Sequence, residues 1–138
     1  MTKVTGSAKV KQGVKNSIDY ISRDDNLSLT DEQGLKINAE EAKQSLIDSD
    51  DALQLSDKSR RTPDISKNIV FSPPVTAKVK PEEAIEAVRQ TLLKKFPDNR
   101  FVIAYHDDKK DHPHVHVILK TRKESEDKRI KITKARFT

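Results

Sequence analysis

All four histidines of this 138-residue chain fall between positions 106 and 116. His114 and His116 belong to the apolar, β-prone segment 114–120, which predicts a strand. Because side chains alternate along a strand, these two histidines share one face while Val115 and Val117 occupy the other. His106 ends a second predicted strand, 100–106, and an antiparallel hairpin of the two strands brings it close to His114.

Three imidazoles that converge from two strands predict a metal site. Three neutral nitrogen ligands leave coordination positions for water or a phosphate oxygen, as a catalytic site requires. The ligand set alone does not distinguish Zn²⁺, Mn²⁺, Co²⁺ and Ni²⁺. Asp108 is a candidate for orienting a ligand histidine through its ring N–H. The competing interpretation is a set of exposed histidines without a ligand, or a structural or adventitious metal site.

The elements that must position these residues are visible in the apolar pattern. Val14, Ile18 and Ile21 form one stripe of a helix, with Tyr20 away from the centre of that stripe. A short strand is predicted over 67–72, and Pro81 opens a helix that ends near Phe96. Tyr105, next to His106, should point to the opposite face and into the core.

The remaining segments complete an α+β prediction: a small antiparallel β-sheet with helices mainly on one face. Residues 26–66 are acidic and polar and are expected to be a mobile insert, with one or two short helices between 40 and 55. Residues 129–133 alternate and predict a last edge strand. The length corresponds to one domain, 1–138.

Charge is distributed unevenly along the chain. The net charge is +5: residues 1–23 carry five basic residues against one acidic, residues 24–57 two against ten, and residues 58–138 twenty against eleven. Basic segments of this kind suit the neutralisation of nucleic-acid phosphates, although solubilising surface charge would produce the same balance. There is no cysteine, and no segment approaches the ~18 apolar residues of a membrane span, which favours a soluble cytoplasmic protein that binds no membrane.

Two motifs, in this order, resemble those of conjugative and mobilisation relaxases of the HUH endonuclease superfamily, particularly the branch with T-DNA border nickases. The first is Asp19-Tyr20-Ile21-Ser22-Arg23, which is similar to the family's nucleophile motif. The second, residues 106–119, reads His106-Asp107-Asp108, then His112-Pro113-His114-Val115-His116 and apolar residues. Lys120 stands where many members have Asn. The resemblance covers residues 10–25 and 67–133.

The resemblance implies the HUH relaxase palm fold and a reaction. Tyr20 would attack a phosphodiester at a transfer-origin nick site, leaving a 5′-phosphotyrosyl link and a free 3′-hydroxyl that can reverse the step. A metal held by His106, His114 and His116, expected to be Mg²⁺ or Mn²⁺, would polarise the phosphate. Asp108 would orient a ligand or accept the phenolic proton.

Further residues and partners follow from the same resemblance. The expected nucleic-acid contacts are Arg23, Lys109, Lys110 and His112, the last of these either at DNA or in support of a ligand. The implied substrate is single-stranded or cruciform transfer-origin DNA, and the implied partners are accessory relaxosome proteins and a type IV coupling protein. Because catalytic domains of this family continue past the basic strand, the chain is expected to be truncated at its C-terminus.

Two other functions compete with this one. Rolling-circle replication initiators share the histidine and tyrosine chemistry, but they usually place the tyrosine after the histidines, whereas Tyr20 comes first. A non-catalytic DNA-binding module with a structural metal is the alternative from a different class, and a Tyr20→Phe variant that nicks normally would favour it. Cupin-like oxygenases also use His-x-His, but with three glycines the chain lacks their Gly-rich turns.

Overall fold

A computed structural model of the chain describes residues 2–24, 26–47, 65–72, 80–106 and 113–123. Its elements, in chain order, are β1 Thr2–Ala8, α1 Lys11–Ser22, β2 Leu29–Asp31, β3 Lys36–Ile37, α2 Ala39–Leu46, β4 Ser66–Phe71, α3 Pro81–Lys95, β5 Asn99–His106 and β6 His114–Lys123. The strands form one sheet in the order β1-β4-β6-β5-β2-β3, and every pairing in it is antiparallel. The predicted α+β class is confirmed.

Alternation along the two central strands divides the core into two layers. Val102 and Ala104 of β5 and Ile118 of β6 pack with the apolar stripes of α1 and α2. The residues between them, such as Ile103 and Val117, pack with α3 on the opposite face. Among the described helices, α1 and α2 therefore cover one face of the sheet and α3 covers the other. Successive residues of the central strands point to opposite faces, so both sets are buried.

Helix α1 forms because its apolar residues recur at helical spacing. Val14 and Ile18 are completely buried and Ile21 is 4% exposed, so the predicted stripe is the face that packs on the sheet. The helix ends at Arg23, whose φ of 52° is left-handed and whose backbone N–H bonds back to Asp19 and Tyr20. Asp24 follows at φ 55°. Two successive left-handed residues turn the chain sharply at the end of this helix.

The segment 26–47 adds two strands to the same sheet and one helix that packs on it. β2 pairs with β5, β3 pairs with β2, and α2 begins at a capping box in which Asn38 and Glu41 bond to each other's backbone. Residues 48–64 and the predicted strand 129–133 lie outside the described residues. In the part of the chain that the structure describes, no helix has the length and apolar character needed to cross a membrane.

Candidate active site

Strands β5 and β6 bring the histidines together by their register. His106 lies directly opposite His114, and His116 lies opposite Ala104 two positions further along. Residues opposite each other in an antiparallel pair project to the same face, so all three imidazoles share the face that α1 covers. The ring centroids of His106 and His116 are 4.2 Å apart, and those of His114 and His116 are 6.3 Å apart.

Helix α1 places Tyr20 beside this cluster. Burial of Ile18 and Ile21 against the sheet leaves Tyr20 71% exposed, at the edge of the helix and away from the core. The centroid of the Tyr20 ring lies 6.3 Å from that of His116 and 6.5 Å from that of His106. An exposed phenol therefore stands next to two of the three imidazoles.

Two hydrogen bonds orient the outer rings of the cluster. His106 Nε2 is 2.7 Å from the carbonyl oxygen of Ile21. Because a carbonyl only accepts, Nε2 carries the hydrogen and donates it, and the lone pair of the neutral ring lies on Nδ1. His114 Nδ1 is 3.0 Å from the hydroxyl of Ser72, just past the end of β4. The site thus draws on three neighbouring strands and on the backbone of the helix that carries Tyr20.

The environment keeps His106 and His116 uncharged at neutral pH. Burial first, and then the positive charges of neighbouring side chains, lower the pKa of His116 to about 4. Those neighbours are His106, His114 and Arg23. Burial also lowers the pKa of His106, although its bond to the Ile21 carbonyl acts in the opposite direction. The two rings are therefore neutral at pH 7, the state in which imidazole binds a metal.

The donor chemistry of the cluster fits a divalent metal ion. Neutral imidazoles are common metal ligands, and a ligand histidine usually donates its other ring N–H to a carbonyl or similar group, as His106 does to Ile21. The rings as placed do not yet form a ligand set: among the described residues, no three His, Asp or Glu side chains are arranged to hold an ion. Metal binding would therefore require rotation of these side chains.

A cleft of about 860 Å³ opens beside Tyr20 and His106. Its other lining residues come from the second half of α1 and the turn after it: Asn16, Asp19, Arg23, Asp24 and Asn26. Arg23 is close enough to lower the pKa of both His106 and His116. This guanidinium therefore brings a positive charge to the side of the cleft nearest the histidines.

The structure brings some of the predicted site residues close together, and the others lie outside the described residues. Tyr20, Arg23 and the three predicted ligand histidines lie together, although they are up to 96 positions apart between residues 20 and 116. Tyr105 packs with the core on the opposite face, as predicted. Four predicted residues lie outside the described residues: Asp108, Lys109, Lys110 and His112.

Sequence reasoning missed the supporting groups of the site. The Ile21 carbonyl is a backbone atom, and no sequence pattern marks it as the partner of His106. Ser72 follows a strand as an ordinary polar residue, and its bond to His114 spans 42 positions. Asn16 lies one turn before Tyr20 and Asp19 directly before it on an amphipathic helix, where the sequence indicates only a solvated side.

An exposed phenol beside neutral imidazoles and a guanidinium, on a basic chain, is an arrangement that suits phosphoryl transfer. The family comparison identifies the class: a family model described as "Relaxase: MobA/VirD2-like, nuclease domain" matches residues 20–138, which is more than half of the chain. The chain belongs to this relaxase family, whose nuclease domains nick DNA for mobilisation, and its substrate class is therefore DNA. The comparison with curated proteins gives no match.

Proposed function

We propose that the chain nicks and rejoins one DNA strand at a transfer origin through a covalent bond to Tyr20. The observation that carries this proposal is the position of the exposed Tyr20 ring, 6.3 Å from His116 and 6.5 Å from His106 between centroids. Such exposure is unusual for a large aromatic side chain, and a nucleophile that must reach a DNA backbone requires it. Family membership supports nicking in general.

The reaction transfers a phosphoryl group without loss of bond energy. The Tyr20 Oη forms a bond to phosphorus as the bond between phosphorus and the 3′-oxygen breaks. The phenolic proton leaves Tyr20, and the departing 3′-oxygen takes up a proton to become a hydroxyl. The product is a 5′-phosphotyrosyl link, and attack by the 3′-hydroxyl reverses each step.

The residues around Tyr20 have separate tasks in this scheme. Arg23 binds and neutralises the phosphate next to the scissile bond. The backbone of Ile21 accepts the His106 N–H and so fixes the end of α1 relative to the histidine cluster. His106, His114 and His116 would hold the divalent metal, Mg²⁺ or Mn²⁺, and the bound ion would supply Lewis-acid polarisation of the phosphate.

The decisive experiment is covalent capture on DNA. The protein is incubated with Mn²⁺ and labelled single-stranded DNA spanning the transfer origin of the element that encodes it, and adducts are separated on a denaturing gel. Wild type should form an adduct, and Tyr20→Phe should form none. Tyr105→Phe is the matched control, because Tyr105 is the only other tyrosine and packs on the opposite face of the sheet.

Two outcomes would contradict the proposal. An adduct that persists in Tyr20→Phe would exclude Tyr20 as the nucleophile. Binding of the DNA by folded wild-type protein without any adduct would favour a DNA-binding module that uses its metal structurally.

The role of the metal has a test that does not depend on activity. Mn²⁺ that binds only the folded state stabilises it, so it should raise the melting temperature of wild type in proportion to the logarithm of its concentration. His114→Ala should lose this response. An equal rise in both proteins would place the metal elsewhere. Cruciform origin DNA, accessory relaxosome proteins and a type IV coupling protein are the partners that we expect in the same assembly.

A further inference from the structure

The cleft beside Tyr20 is larger than a phosphate needs. Its volume of about 860 Å³ lies within the ~300–1,000 Å³ that small-molecule sites occupy, so it has room for a nucleoside next to the scissile phosphate. Apart from Tyr20 and His106, its lining consists of amide, carboxylate and guanidinium side chains. Such groups form hydrogen bonds with nucleobase edges, whereas an apolar lining would only stack on them.

Asn16 and Asp19 present complementary hydrogen-bonding groups in this cleft. They are three positions apart on α1 and therefore adjacent on its surface. Gln12 donates to Oδ1 of Asn16 at 2.9 Å, which turns the Asn16 amide so that its NH₂ group is the donor available to a ligand. Lys43 binds Oδ1 of Asp19 at 2.8 Å, so Oδ2 is the corresponding acceptor.

The charges and spacing of the cleft fit a nucleotide whose phosphate lies at Tyr20 and whose base points along α1 toward Asn16. The Lys43 ammonium offsets the Asp19 carboxylate, which reduces repulsion of the nearby DNA phosphates. Arg23 lies at the C-terminal end of α1, and Asn16 lies about one helical turn, ~5.4 Å, before Tyr20 along the helix axis. A phosphate at Arg23 and Tyr20 would thus place the attached base near Asn16 and Asp19.

We propose that Asn16 and Asp19 form a nucleobase-binding subsite that selects the nucleotide next to the scissile phosphate. Every base offers a donor and an acceptor on one edge, in an arrangement that differs between bases, so one fixed donor–acceptor pair discriminates among them. The subsite rests on the proposed nicking reaction and adds a base preference to it.

Covalent capture from random DNA tests this subsite. A single-stranded library with a randomised central region is incubated with the protein and Mn²⁺, and both products are sequenced: the strand linked to protein and the released strand with the 3′-hydroxyl. The link itself marks the nick, so base preference is obtained at each position on either side. Wild type should prefer one base at a position adjoining the nick.

Substitutions in the subsite should change that one position. Asn16→Ala and Asp19→Ala should reduce the preference there by about 10-fold, the effect expected from losing one good base contact. Asp19→Asn keeps the shape but replaces an acceptor with a group that also donates, so it should change which base is preferred. Gln44→Ala, on the exposed side of α2 and outside the cleft, should leave every preference unchanged.

The outcomes separate this subsite from the underlying reaction. Adducts of all variants with the same base preferences as wild type would overturn the subsite and leave the nicking reaction intact. Absence of any wild-type adduct would overturn the nicking reaction, and the subsite with it. Because preferences are ratios within one protein sample, a partly unfolded variant lowers the adduct yield without altering them.

Discussion

The histidine cluster should make the metal-free protein less stable in mild acid. Folding lowers the pKa of His116 from 6.5 to about 4, so the unfolded chain binds more protons than the folded chain between these values. The free energy of unfolding must therefore fall as the pH falls through this window. Without any correction for solvent, this pKa shift lowers the free energy of unfolding by about 2 kcal/mol between pH 7 and pH 5. Since His116 is only partly buried, solvent screening reduces the expected loss to about 1 kcal/mol.

Urea unfolding at pH 7, 6 and 5 in the presence of EDTA measures this loss. The EDTA removes metal, which would otherwise hold the histidines unprotonated. Between pH 7 and pH 5, the free energy of unfolding of His116→Gln should fall by about 1 kcal/mol less than that of wild type. Tyr20→Phe, a control in the same site that retains His116, should match wild type. Equal losses in wild type and His116→Gln would refute the assignment of this pH dependence to His116.

Two further predictions concern α1, the helix that carries Tyr20. Asp24→Gly should raise the free energy of unfolding by about 0.5–1 kcal/mol, because Asp24 has φ 55° and glycine adopts that conformation without strain; thermal melting checks this, and a gain no larger than that of Ser28→Gly would argue against it. Ile18→Ala should lower the free energy of unfolding by about 2–5 kcal/mol, since Ile18 is fully buried on the face of α1 that packs on the sheet. Urea titration should show at most a small effect for the exposed Lys15→Ala, and similar losses in both variants would contradict the packing of α1.

The central part of the fold was accessible from the sequence because its signals are local. Short apolar, β-prone runs marked β5 and β6, Pro81 marked the start of α3, and the stripe through Ile18 marked α1. The histidine spacing then placed His114 and His116 on one face, and the observed register confirms this arrangement.

The rest of the fold depends on contacts that sequence periodicity does not encode. β2 and β3 contain three and two residues, too few to show a period of two. β1 is a polar edge strand, and its register against β4 shifts between Val4 and Gly6. The partners of His106 and His114, a backbone carbonyl and a serine, are set by tertiary structure alone.

During synthesis of the chain, Tyr20 is made long before the groups that surround it in the folded protein. Ribosomes complete chains from the N-terminus, so α1 and Tyr20 emerge while β5 and β6 do not yet exist. The bond from His106 to Ile21 joins residues 85 positions apart, and it can form only after both central strands have been made and paired. A nascent or unfolded chain therefore carries an exposed tyrosine without the histidines that surround it. The reactivity toward DNA that we propose for Tyr20 would in this way be delayed until the central strands have folded.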